Sequence, residues 1–131
     1  MSTTSSSWII CEKSGRWAAA LRVTLGRRKH APFASRILET RSLAELDLAI
    51  NEHEAAFVLV EVRPESVADG LSFLTKRNWG AAQVVAMLEF GSERSADRRL
   101  ATDALLEAGA IEVIESSRQL GAVLEIAERQ P

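Results

Sequence analysis

Phe57-Val58-Leu59-Val60-Glu61-Val62-Arg63-Pro64 is the stretch on which the fold turns. Its opening residues are nearly all apolar and mostly β-branched or aromatic. They do not alternate with polar residues, so both faces need cover. That is the pattern of a central strand in a parallel sheet. A charge and a proline close the run, and Glu61 falls at the carboxyl end, where open α/β sheets place their ligands and chemistry.

Working outward, Trp8-Ile9-Ile10-Cys11 and Gln83-Val84-Val85-Ala86-Met87-Leu88 read as further buried strands. Ser35-Arg36-Ile37-Leu38-Glu39 is more polar, as suits an edge. Ile111-Glu112-Val113-Ile114 alternates and makes a second edge. The expected strands are therefore 8–11, 35–39, 57–62, 83–88 and 111–114.

Helical patterns fill the gaps. Trp17, Ala20, Leu21 and Leu25 form one stripe, with Ser14 as a candidate cap. Ser42-Leu43-Ala44-Glu45 is a capping box ahead of Leu43, Leu46, Ala49 and Ile50. Val67, Leu71 and Leu74 point a third helix inward. The fourth has an expected core face of Leu100, Ala101, Ala104, Leu105 and Ala108, stopped by Gly109. Ser116-Ser117-Arg118-Gln119 is a second capping box, before Leu120, Val123, Leu124 and Ala127. Five strands and five helices in strict alternation force a parallel sheet with right-handed crossovers.

The 131 residues suit one domain with a real core, expected over 8–131 behind a disordered leader at 1–7. A net charge of -2 gives no general pull toward nucleic acid or an acidic membrane. Cys11 is the single cysteine, so an internal disulfide is excluded and a reducing, cytoplasmic setting is expected. No apolar run approaches the roughly 20 residues of a membrane span.

Three features carry a family resemblance. Asp69-Gly70-Leu71-Ser72-Phe73-Leu74 looks like a third-helix entry, Glu107-Ala108-Gly109-Ala110 like a signature before the last strand, and Pro64 stands shortly after the central strand. In this order, over essentially the whole chain, they resemble the receiver domain of two-component response regulators. The resemblance implies a flavodoxin-like (βα)5 fold, a doubly wound parallel sheet of strand order 2-1-3-4-5.

The family's chemistry does not carry over. The resemblance asks for a pair of metal-holding acids after the first strand, where Cys11-Glu12-Lys13 leaves one. The phosphoacceptor aspartate becomes Glu61, the switch Ser/Thr becomes Glu89, and the phosphoryl-binding lysine and its proline become Ser116 and Ser117. Pro64 lies one residue too close to Glu61 and Gly70 one too far. Phosphoryl transfer needs cations around its equatorial oxygens. A mouth of Glu12, Glu61 and Glu89 offers like charge instead.

The expectation is a degenerate receiver, a pseudo-receiver that is not an enzyme. It needs no cofactor and no metal, and it signals by phosphorylation-independent contact with a protein partner or a second copy. The alternative is a small-molecule or divalent-metal sensor using the acidic mouth, and Glu61 as a mimic of phosphoaspartate is a further reading. Repulsion among the three acids predicts that neutralising Glu61 or Glu89 costs no stability. The resemblance also directs attention to the face made by the fourth helix, fifth strand and fifth helix, where Arg98, Arg99 and Arg118 sit among acids.

The remaining candidates have plain structural readings. Cys11 reads as a small buried residue, and Arg27-Arg28-Lys29-His30 as a helix end where cations suit the dipole. His30 and His53 have no partner spacing for a metal. Trp79 either anchors a partner or caps the sheet edge.

Overall fold

A computed structural model describes residues 7–27, 36–53, 57–77, 79–80, 82–90 and 95–128, and the statements below concern these. The strands are β1 (Ser7–Cys11), β2 (Arg36–Thr40), β3 (Phe57–Val62), β4 (Gln83–Leu88) and β5 (Glu112–Ile114). They form one sheet in the order β2-β1-β3-β4-β5, parallel at every pairing. The helices are α1 (Arg16–Gly26), α2 (Leu43–Glu52), α3 (Val67–Lys76), α4 (Ser95–Ala108) and α5 (Leu120–Glu128). Short 3-10 turns, Pro64–Ser66 and Ser117–Gln119, lead into α3 and α5. This is the doubly wound arrangement expected, with β3 buried on both faces.

The unalternating run in β3 splits by side. Val58, Val60 and Val62 pack with Leu46, Leu74 and Leu105 of α2, α3 and α4. Phe57 and Leu59 pack with Trp17 and Leu21 of α1 and Leu120, Val123 and Leu124 of α5. Each such fully buried side chain stabilises the fold by about 1.5–3 kcal/mol relative to exposure. At the amino end of the sheet Trp8 stacks on Phe57 with centroids 4.9 Å apart.

Boundaries shift by one residue at three strands. β1 takes in Ser7, β2 runs on to Thr40 because Thr40 is opposite Cys11, and β5 starts at Glu112. Ile111 still donates its N–H to Val84 O at 2.8 Å, so the last difference is one of strand-end bookkeeping. Residues 1–6 of the expected leader, 28–30 of the basic cluster and the side chain of Ala127 lie outside what is described.

One expected core residue is corrected. Leu100 is 69% exposed, whereas Ala101 and Leu105 are buried. The 3.6-residue period allows α4 a stripe about three residues wide, and Leu100 stands on its outer margin toward α3. Trp79 is partly buried and packs edge-on to Phe73. Its indole N–H donates to Leu74 O at 3.0 Å, and Arg77 lies 5.7 Å from its ring, so it closes the end of α3 rather than the sheet edge.

Candidate functional site

The carboxyl ends of β1, β3 and β4 meet where the crossover direction changes, which is where this architecture places its sites. Period-two alternation decides what arrives there. Ile10, Leu59 and Met87 face α1 and α5. Two residues further along each chain stand Glu12, Glu61 and Glu89, so the three acids do converge at this end as the sequence implies.

They do not form a common acidic mouth, because each carboxylate has its own donors. Glu12 is 2% exposed. Its Oε1 accepts from the Trp17 N–H at 2.8 Å and its Oε2 from the Ala18 N–H at 2.7 Å. Those are first-turn amides of α1, whose N-cap residue Gly15 supplies no side-chain cap. Glu12 therefore caps the second and third amides, an anion on a helix N-terminus supplied by the protein itself, while the Ser14 hydroxyl read as a cap from the sequence accepts from the Arg16 N–H at 3.2 Å. Gly15 turns at φ 88, and a Cβ there would stand 3.2 Å from Arg41 Nη2.

The Glu61 side chain is 4% exposed. Its Oε1 accepts from the Lys13 N–H at 3.1 Å and its Oε2 from Arg63 Nη2 at 3.2 Å. The carboxylate beside it holds the Arg63 guanidinium above its ordinary pKa. Glu89 accepts from Arg16 and, at 2.9 Å, from the Trp17 indole N–H. The expected repulsion is thus replaced by two ion pairs and a helix cap. Among the described residues no group of three His, Cys, Asp or Glu side chains is placed to hold a metal ion.

Ser116 does not face these acids as a donor. Its hydroxyl accepts from the Arg118 N–H at 3.2 Å, while Gln119 Oε1 accepts from the N–H of Ser116 at 3.1 Å, which is the capping box read from the sequence. Burial pushes the Cys11 thiol up, against a hydrogen bond from Thr40 that pulls it down. On the face chosen from the resemblance, Arg98 is taken up by Glu115 at 2.9 Å and pins α4 to the end of β5. Arg99 and Arg118 are exposed.

Sequence reasoning missed Trp17 and Arg16 as members of the site. Trp17 was legible only as bulk, yet its backbone N–H serves Glu12 and its indole N–H serves Glu89. The signal was present: an acid five residues before a tryptophan, just ahead of a helix start. Arg41 was missed as well. With Arg22 it grips Glu39 of β2, and together they hold that carboxyl below its ordinary pKa, Arg41 most.

No sequence profile of a known family matches the chain, and no curated protein matches it in sequence. Solved structures do match in shape. A response regulator from Thermotoga maritima superposes with TM-score 0.69 at 12% identity, covering 95% of this chain and 96% of its own. A two-component response regulator from Clostridium difficile gives 0.69 at 15%, over 95% and 97%. A CheY-like protein (tadZ) from Pseudomonas aeruginosa PAO1 gives 0.66 at 17%, over 98% of each. A short-chain flavodoxin associated with a microcompartment is more distant, at 0.58 and 13%. The chain has the receiver-domain fold, a flavodoxin-like sheet of order 2-1-3-4-5.

Proposed function

We propose that the protein is a non-enzymatic signalling module, a degenerate receiver domain that acts by phosphorylation-independent protein–protein contact. One observation carries this reading. At the place where a receiver takes its phosphoryl group, the two arginines nearest the acids are already committed to the protein's own carboxylates. Arg63 holds Glu61, Arg16 holds Glu89, and the α1 N-terminus holds Glu12. Ser116 brings a hydroxyl that is turned into its own helix cap.

The contact surface is sought on the outer face of α4, β5 and α5. Arg99 and Arg118 are exposed there, and Leu106 and Ile111 are 44% and 38% exposed beside them. Acids stand among these arginines, including exposed Asp103 and Glu125, so the face suits a polar-rimmed, salt-sensitive contact with a second copy or a partner protein.

Two measurements test the reading. Intact mass after incubation with acetyl phosphate and magnesium should be unchanged, and a phosphoryl adduct on Glu61 overturns the degenerate assignment. Sedimentation of the wild type against Arg99→Glu/Arg118→Glu, at low and high salt, should show association that the variant loses. A monomer under all conditions, with unchanged binding of any captured partner by the variant, removes this face.

A further inference from the structure

A groove of about 340 Å³ lies between the start of α3 and the amino half of α4. Pro64, Val67 and Phe90 line it together with Leu100, Ala101 and Ala104 of α4, and apart from Asp97 its lining is apolar. Val67 and Phe90 pack on the core beneath, so the floor is fixed. Among the described residues no large apolar side chain is more exposed than Leu100, at 69%. The patch therefore holds a protruding apolar group and an apolar hollow side by side, and a surface of that kind is complementary to itself.

Two features of α4 say what covers it. Leu100 and Ala104 stand one turn apart, and the small Ala104 leaves room between them for another leucine. Arg99 and Asp103 are also one turn apart and exposed, and among the described residues neither has an ion-pair partner. Set a second α4 antiparallel to the first, about a twofold axis level with Ala101. The axis exchanges the levels of Arg99 and Asp103, so the arginine of each copy faces the aspartate of the other. It also carries Leu100 to the level of Thr102, midway between Leu100 and Ala104 of the other copy. One position of the axis thus satisfies the charges and the hollow together.

We infer that a second copy of this chain docks on the groove between α3 and α4, with α4 antiparallel to α4 and each Leu100 seated between Leu100 and Ala104 of the other copy. Covering the two leucines removes apolar surface from water, and the Arg99–Asp103 pairs on the solvent side set the register. The patch is small, so the dimer is weak and concentration-dependent rather than permanent. The inference rests on the contact reading above for a binding role; it names the partner and moves the centre of contact to the α3 side of α4.

The test is sedimentation of the full chain at up to about 1 mM, at low and high salt. The wild type should dimerise reversibly, and less so in high salt. Leu100→Gln should raise the dimer dissociation constant at least about tenfold, while Arg118→Glu, ahead of α5, should leave it within about twofold. Arg99→Asp and Asp103→Arg should each weaken the dimer about tenfold. The two together exchange the charges on both copies and should restore most of the lost affinity. All four positions are exposed, so these variants keep the fold. A wild type that stays monomeric at about 1 mM overturns the inference. So does a dimer that survives Leu100→Gln, or a double reversal no tighter than the single ones. A dimer lost on Arg118→Glu but kept by Leu100→Gln also overturns it, and leaves the contact reading on α4, β5 and α5 in place.

Discussion

At the carboxyl ends of β1, β3 and β4 three acids converge, and every one is met by donors from its own chain: amides of α1, a guanidinium from each of Arg16 and Arg63, and an indole N–H. Along α4 the opposite holds. Leu105 is fully buried, but five residues earlier Leu100 is 69% exposed, and Leu106 and Arg99 also face solvent. The strand ends carry carboxylates paired within the fold, while the surface of α4 keeps apolar side chains in solvent.

The largest expected effect tests the outward half of that contrast. Leu105→Ala should cost about 3 kcal/mol in urea unfolding, while Leu100→Ala should cost less than about 0.5 kcal/mol. Comparable losses would mean that Leu100 is packed and that α4 has no exposed apolar face there.

Next comes the cap. Glu12→Gln removes the charge from a buried carboxylate that serves two helix amides, and should lower stability by about 2 kcal/mol. An unchanged midpoint would show that α1 starts without it. Glu89→Gln should cost about 1 kcal/mol, less than the cap because Arg16 is 71% exposed. Combined with Arg16→Ala, the losses should be less than additive, since both remove one interaction. Strict additivity would separate Arg16 from Glu89 and leave the Trp17 indole as the operative donor.

The smallest effect lies away from the strand ends, at the Glu39 pair with Arg41 and Arg22. Its folded pKa is depressed below the ordinary value of 4.5, so its contribution is present above that value and is lost as pH falls through the folded pKa. Glu39→Gln should therefore narrow its gap to the wild type on acidification. The gap at neutral pH should be under about 1 kcal/mol, because the pair is solvated. A gap that widens in acid would reverse the sign of the argument.

The sheet was legible in the sequence because its signals are redundant. The unalternating run at Phe57–Val62, the two polar edges and the capping residues at Ser42 and Ser116 all demand the same topology. The convergence of Glu12, Glu61 and Glu89 was legible too, since strand period and order fix it. What each acid does was not legible. Charge partners such as Arg16 and Glu89 are 73 residues apart, and no local pattern tells a solvated carboxylate from one that reaches across the sheet. Leu100 misled for a related reason. Helical periodicity gives the centre of a buried stripe well and its margins poorly.

The long reach of these contacts also has a meaning in time. Lys13 meets Glu61 across 48 residues, and Trp17 meets Glu89 across 72. The chain must close large loops before either pair forms, and that entropy is spent before the contact rewards it. The carboxylate contacts should therefore be late events in folding, made after β1, β3 and β4 have assembled. Glu89→Gln should then leave the refolding limb of a chevron nearly unmoved and steepen the loss on the other side, raising the unfolding rate. In kinetic terms these acids act as latches on the finished structure, setting how long it stays folded more than how fast it forms.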